Sequence, residues 1–350
     1  MGTFRARLVL ATAILATVGG GLLADKARAQ NGGLFRLGAP TLGGKWVWSD
    51  EVIYHDWRIQ KHALIGHYRL IDDRDRRMAF GDFETCMAKL DEAKVARNLP
   101  PLPKDVVIVL HGLGANRSFM NGLSEYLHEN GGYFVVNFGY PSTMLTIADY
   151  AQSLDSVVRH LDGVENISFV AHSMGNIVER KFLGDLNSLT PAMRPQVNFH
   201  RMVMIAPPNH GAELADTLSD REVTAQLAEV FAGEPARQLA PGIGWPELEP
   251  QLATPAFEFG IIAGGRGDGE GWLAVIPGDD DSLLSVATTR LVGAADFIQV
   301  KGIHQFLPNN EDARVAALNF LRHAFFVSAE SRQPIVDADP ATTTTPAAAP

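Results

Sequence analysis

The chain has 350 residues, of which 46% are hydrophobic and 20% charged, with a formal net charge of −10. That is enough apolar material for one large core or two small ones. The acidic balance, with no run of Lys and Arg, argues against a nucleic-acid partner.

Residues 1–29 read as an export signal. MGTFRAR carries Arg5 and Arg7, LVLATAILATVGGGLLA is apolar, and Ala27-Arg28-Ala29 fits the small-x-small rule for cleavage after Ala29. The alternative is an uncleaved anchor, since the apolar run is almost long enough to span a bilayer. Its glycines and the cleavage site favour removal. The mature chain is then exported, to periplasm or medium, without a permanent membrane anchor. Cys86 is the only cysteine, so there is no lipobox and no internal disulfide.

Residues 30–44 are a glycine-rich, flexible leader, and residues 45–330 form the folded domain. Within 45–72, short alternating aromatic and aliphatic runs suggest strands at a sheet edge. MAFGDFETCMAKLDEAKVAR turns helical toward its end and is stopped by Pro100, Pro101 and Pro103. A regular alternation follows. Strands are expected at 105–112, 132–141, 166–173, 200–208, 257–265 and 296–302. Helices are expected at 119–130, 145–162, 176–186, 213–233 and 312–326. This pattern predicts an α/β fold with a mostly parallel central sheet covered by helices on both faces. Residues 211–256, between the sixth and seventh core strands, are expected to form a small helical cap or lid insert. There, Leu214, Leu218, Val223, Leu227 and Val230 fall near helical spacing; such a stripe faces an acyl chain or, more commonly, packs on the body of the protein. The Pro/Thr/Ala tail at 331–350 is expected to be disordered.

The chemistry is concentrated where strands end. VIVLHGLGANRS, residues 107–118, is a buried-type strand running into a glycine turn, a place where backbone N–H groups meet an anion. The anion is either a phosphate or a developing oxyanion. GLGANR lacks the third glycine of a dinucleotide fingerprint, having Arg117 there, and no Walker lysine follows. AHSMG, residues 171–175, stands between an apolar strand and a helix, the setting of a nucleophile elbow. Small residues are needed two before and two after the nucleophile, and Ala171 and Gly175 satisfy that. Ser173 is the candidate nucleophile, and a serine hydroxyl needs a base to take its proton.

In this architecture the chain order is Ser, then Asp or Glu, then His. His304 follows the last strand at once and is the candidate general base; His210 reads as a loop residue and His323 as a helix-face residue. The loop after 257–265 offers Asp268, Glu270, Asp279, Asp280 and Asp281. Asp281 is chosen because an apolar run directly after it can hold it rigidly, whereas Asp268 lies in flexible GRGDGEG. The carboxylate would fix the tautomer of His304 and stabilise the imidazolium. The GDDD cluster is also a candidate Ca²⁺ ligand set, but EF-hand spacing is lacking and no metal is expected. With Ser173 as nucleophile, the anion is an oxyanion, received by the backbone N–H groups of Leu113 and Met174.

These pieces together resemble the α/β-hydrolase superfamily and, within it, bacterial lipases and lipase-like esterases. The resemblance rests on HGLG after a strand, AHSMG at the elbow, APPNHG after the next strand, DSLLSV as the acid segment and GIHQFLP at the histidine. The alanine-first elbow and the segment 281–304 are similar to those of small Bacillus-type lipases. The likeness covers roughly residues 105–325 and implies cofactor-free hydrolysis of carboxylic esters, lipids among them, through an acyl-enzyme on Ser173. Two departures stand out. The segment 45–104 is longer than a minimal lipase needs, and Ser282 stands where glycine is common. Competing readings are a thioesterase, amidase or deacylase acting on envelope components, and a non-catalytic binding protein on the same fold.

Overall fold

The computed structural model describes residue 44 and residues 46–212 and 233–337. The expected signal segment, nearly all of the leader, the helix at 213–232 with its apolar stripe, and the last thirteen residues of the tail lie outside the described residues.

The aromatic and aliphatic runs near the N-terminus form four strands, β1 (Trp48–Tyr54), β2 (Trp57–His62), β3 (Tyr68–Ile71) and β4 (Arg77–Gly81). They make an antiparallel sheet of their own, in the order β1-β2-β3-β4, rather than an edge of the main sheet. The reason is polar. Asp50, fully buried, accepts from Arg58 Nη1 at 2.5 Å and Gln60 Nε2 at 2.6 Å, which ties β1 to β2. Arg69 donates to Gln60 and so adds β3 to the same network. Helix α1 (Phe83–Ala96), capped by Asp82, closes this sheet with the buried Cys86 and Leu90.

The main sheet has six strands. They are β5 (Asp105–Leu110), β6 (Phe134–Phe138), β7 (Asn166–His172), β8 (Asn198–Ile205), β9 (Phe259–Gly265) and β10 (Asp296–Lys301). Their order is β10-β9-β8-β7-β5-β6 and every pair is parallel. Residues 211–256 thus lie between the fourth and fifth strands of the parallel sheet in chain order, not between a sixth and a seventh, because the N-terminal strands form a sheet of their own. Successive side chains on β5 point to opposite faces. Val106, Ile108 and Leu110 join one hydrophobic cluster, and Val107 and Val109 join the other. Burial on both faces is why these strands read as continuous apolar runs.

Helices α2 (Asn121–Gly131), α3 (Ile147–Arg159), α4 (Met174–Asn187) and α7 (Glu311–His323) cover the sheet, and two short helices, α5 (Glu234–Leu239) and α6 (Trp245–Leu248), lie between β8 and β9. Thr146 and Asp149 form a capping box that fixes the start of α3. Gly132, at φ 71°, terminates α2 in the left-handed conformation that glycine adopts without strain. Trp245 is buried and opens α6.

The N-terminal sheet is clamped to the main one beside the β6 end. Asp50 N–H donates to the Gly139 carbonyl and Gly139 N–H donates to Asp50 Oδ2, both at 2.8 Å. At the other end of β1, the His55 ring lies 5.3 Å from that of Phe134, at the start of β6. Strand β1 therefore runs antiparallel to β6, and the β2–β3 turn projects from the edge at which the parallel strands end.

Candidate active site

Strand β7 runs straight into α4, with Ser173 at the junction. Its backbone sits at φ 54° and ψ −129°, a conformation that costs a non-glycine residue of order 1–3 kcal/mol. Surrounding bonds hold it there. Ser173 N–H donates to the Ile205 carbonyl at 2.9 Å, and Asn176 Nδ2 donates to the Ser173 carbonyl at 2.9 Å. A Cβ on Gly175 would lie 2.8 Å from the His111 carbonyl oxygen, so the small residue after the turn allows the helix to approach β5. The junction lifts the serine hydroxyl to the end of the sheet.

His304 comes from the far edge, in the 3₁₀ turn after β10. Its Nε2 lies 2.8 Å from Ser173 Oγ and its Nδ1 lies 2.7 Å from Asp281 Oδ2. A carboxylate only accepts, so Nδ1 carries the proton and Nε2 is free to receive one from the serine. All three side chains are nearly or fully buried. The acid is fixed twice over. Its Oδ1 accepts from the N–H groups of Leu283 at 3.0 Å and Leu284 at 2.8 Å, and its carbonyl accepts from His304 N–H at 2.7 Å.

The other acids of this loop face elsewhere. Asp279 accepts from the N–H groups of Arg266 and Gly267 and from Gln299 Nε2. Asp280 accepts from Leu273 and Ser282, and burial pushes its carboxyl up to about 6. Asp268 accepts from the N–H groups of Glu270 and Gly271 and pairs with Arg266. The GDDD run thus builds the loop with its first two aspartates and turns the third toward the histidine. Ser282, at φ 81°, takes up the left-handed turn that glycine would relieve.

The glycine turn after β5 lies against the serine. A Cβ on Gly112 would stand 2.8 Å from Ser173 Cβ, so only glycine lets this backbone come so close. His111, fully buried, donates from Nδ1 to the Gly112 carbonyl at 3.0 Å and accepts Tyr140 N–H at Nε2, 3.4 Å away. Burial lowers its pKa to about 4, so the ring is neutral, as this donor–acceptor pattern requires. The Tyr140 hydroxyl donates to the His111 carbonyl, and the two rings stack at 4.1 Å. These bonds fix the peptide planes on either side of Gly112. The plane after Gly112 carries the Leu113 N–H on the side opposite the held carbonyl. Leu113 is half-buried. Met174 is the first residue of α4 and fully buried; its N–H, like others in a first helical turn, lacks an intrahelical acceptor. Leu113 thus belongs to the glycine turn that lies against the serine, and Met174 to the helix start directly after it.

Two buried groups were not singled out in the sequence. His172 donates from Nε2 to the His304 carbonyl at 3.0 Å, its ring centroid 4.8 Å from that of His304. Burial holds its pKa well below the usual imidazole range. Its place directly before Ser173 marks it as near the site but does not reveal its partner. Glu179, on α4, is fully buried with neither carboxyl oxygen partnered, and burial holds its pKa well above the usual range. His210 is half-exposed after β8, and His323 is exposed at the end of α7.

Residues 102–219 match the family model described as "Putative serine esterase (DUF676)". No curated protein matches the chain. Among solved structures, the mature form of the Bacillus licheniformis lipase BlEst2 is similar at 19% identity, with a TM-score of 0.50 over 65% of this chain and 94% of that one. The lin2722 product of Listeria innocua is similar at 15% identity, with a TM-score of 0.43 over 68% of this chain and 100% of that one.

Proposed function

We propose that the chain, which has the α/β-hydrolase fold and matches a serine-esterase family model over residues 102–219, is a serine esterase- or lipase-like hydrolase that cleaves carboxylic esters through an acyl-enzyme on Ser173. The observation that carries the reading is the unbroken series of contacts from Asp281 through His304 to Ser173 Oγ, at 2.7 and 2.8 Å. Ser173 Oγ attacks the ester carbonyl as His304 Nε2 takes its proton. Asp281 holds the imidazolium in place. The tetrahedral oxyanion is received by the N–H groups of Leu113 and Met174, and the positive end of α4 adds to its stabilisation. His304 then protonates the departing alkoxide oxygen. Water, deprotonated by the same nitrogen, cleaves the acyl-enzyme and returns the acid and the free serine. No cofactor enters any of these steps.

The substrate is an ester, with lipid esters included, and the enzyme acts after export, its signal segment removed after Ala29. The functional test is turnover of p-nitrophenyl esters from acetate to long acyl chains by the wild type and by Ser173→Ala. Hydrolysis that vanishes with Ser173 supports the reading. Equal turnover by the variant, or none by folded wild type on any ester while a thioester or amide is cleaved, would contradict it.

A further inference from the structure

Leu64 and Ile65 are 70% and 59% exposed at the tip of the β2–β3 turn. Among the described residues they are the one pair of adjacent large apolar side chains left exposed; the other exposed aliphatics and Phe306 stand singly along the chain. Single exposed apolar residues are ordinary, whereas a contiguous pair at a protruding tip is not. The tip's location adds to this. Trp48 pairs with His62, Ala63 N–H donates to the Val47 carbonyl, and Asp50 is clamped to Gly139, just past the end of β6. The turn therefore extends from the same edge of the molecule as Ser173, which follows β7, and Phe306, 55% exposed two residues after His304.

The tip's charge is opposite to that of the chain. Residues 57–71 contain Arg58, Lys61, Arg69, His62 and His67 and no acid, in a chain of net charge −10. Arg58 and Arg69 are buried in the Asp50 and Gln60 network, while Lys61 and His67 face solvent beside the apolar pair. Two aliphatic side chains on a narrow turn offer too little area for a stable protein interface. Aliphatic side chains flanked by a base do fit a bilayer, where the chains enter the acyl boundary and the base meets headgroup phosphates.

We propose that the β2–β3 turn is a membrane-docking element, inserting Leu64 and Ile65 into a bilayer of anionic phospholipid and presenting the Ser173 edge to that surface. This rests on the ester-hydrolase reading for its purpose, but not for its test.

The test uses the full chain with Ser173→Ala, so that docking is read without turnover. Ala63→Cys is labelled with nitrobenzoxadiazole, the sole native thiol, Cys86, being buried. Phosphatidylglycerol–phosphatidylcholine vesicles should shift the emission to the blue, and phosphatidylcholine alone should do so less. Adding Leu64→Asp and Ile65→Asp should abolish the shift and weaken partitioning roughly 10- to 100-fold, given the area withdrawn from the acyl region. In an otherwise wild-type chain the same two changes should leave hydrolysis of a soluble short ester unchanged. An emission unmoved by anionic vesicles, or a shift that survives both aspartates, overturns the proposal. So does a change in oligomeric state caused by the aspartates without lipid, which would make the occupant a second copy. A chain that docks but cleaves no ester leaves this inference standing and removes the proposed function.

Discussion

The imidazole of His172 donates to the backbone carbonyl of His304 across 3.0 Å, joining the residue before Ser173 to the histidine whose ring meets Ser173 Oγ. Strand β10, which delivers His304, is three strands away from β7. At about 4.8 Å per strand, the histidine loop must reach back over roughly 14 Å of sheet. The His172 bond helps to hold it there, together with His304 N–H to the Asp281 carbonyl and the contacts of the His304 ring with Asp281 and Ser173.

His172→Phe keeps a ring of similar size and removes the donor. The loss of one hydrogen bond costs about 1 kcal/mol, and a small misplacement of the base adds to that. The kcat of the variant on a soluble ester should fall roughly 10- to 100-fold with KM little changed. Steady-state kinetics check this; an unchanged kcat would mean that His172 only fills space.

Gly112→Ala tests the approach of the glycine turn to the serine. The added methyl would meet Ser173 Cβ at 2.8 Å, and the backbone on both sides is pinned by His111 and Tyr140. The variant should fold, lose at least about 100-fold in kcat/KM, as a displaced oxyanion donor does, and bind a boronic acid more weakly. Wild-type boronate affinity would show that the turn stands away from the developing charge.

Much of this site was legible because Ser173, His304 and the glycine turn at Gly112 each follow closely on an apolar strand. The central strands β5, β7 and β9 announce themselves by nearly unbroken burial, and the elbow by small residues flanking Ser173. Asp281 was separable from its neighbours because the Leu283 and Leu284 N–H groups that hold its carboxylate belong to the apolar run that follows it. The N-terminal sheet was not legible as a separate unit. Alternation marks strands but not their partners, and the choice was made by Asp50, whose bonds reach residues as distant as Gly139. The parts played by His172 and Tyr140 were hidden for the same reason. Each depends on a partner brought near only by the sheet, and neither residue type signals it.

Glu179 gives a prediction about stability and pH. Burial raises its folded pKa above the unfolded value, so its protonated form is the one the fold accepts. Its contribution to stability is complete below the unfolded carboxyl range and is lost as pH rises through the higher folded value. Glu179→Met removes the unpartnered carboxyl and should stabilise the protein by about 1–3 kcal/mol near pH 8, with a smaller gain near pH 5. Thermal unfolding of both chains from pH 5 to 9 checks this. Parallel curves across that range would mean that the carboxyl has a partner when folded.

Asp281→Asn isolates the acid. An asparagine can keep the backbone contacts but no longer holds a protonated Nδ1 as a carboxylate does. Turnover should fall by about 10⁴-fold while the unfolding midpoint moves little. Activity near that of wild type would transfer the role to another acid, and Asp280, facing Leu273 and Ser282, would need a different loop conformation to take it.

The most direct measurement is covalent. Wild-type protein incubated with a fluorophosphonate, digested and read by mass spectrometry should carry the adduct on the peptide containing Ser173, and Ser173→Ala should carry none. Folded protein that takes no label, or a label found elsewhere and undiminished in Ser173→Ala, would contradict the account of Ser173 as a nucleophile activated by His304.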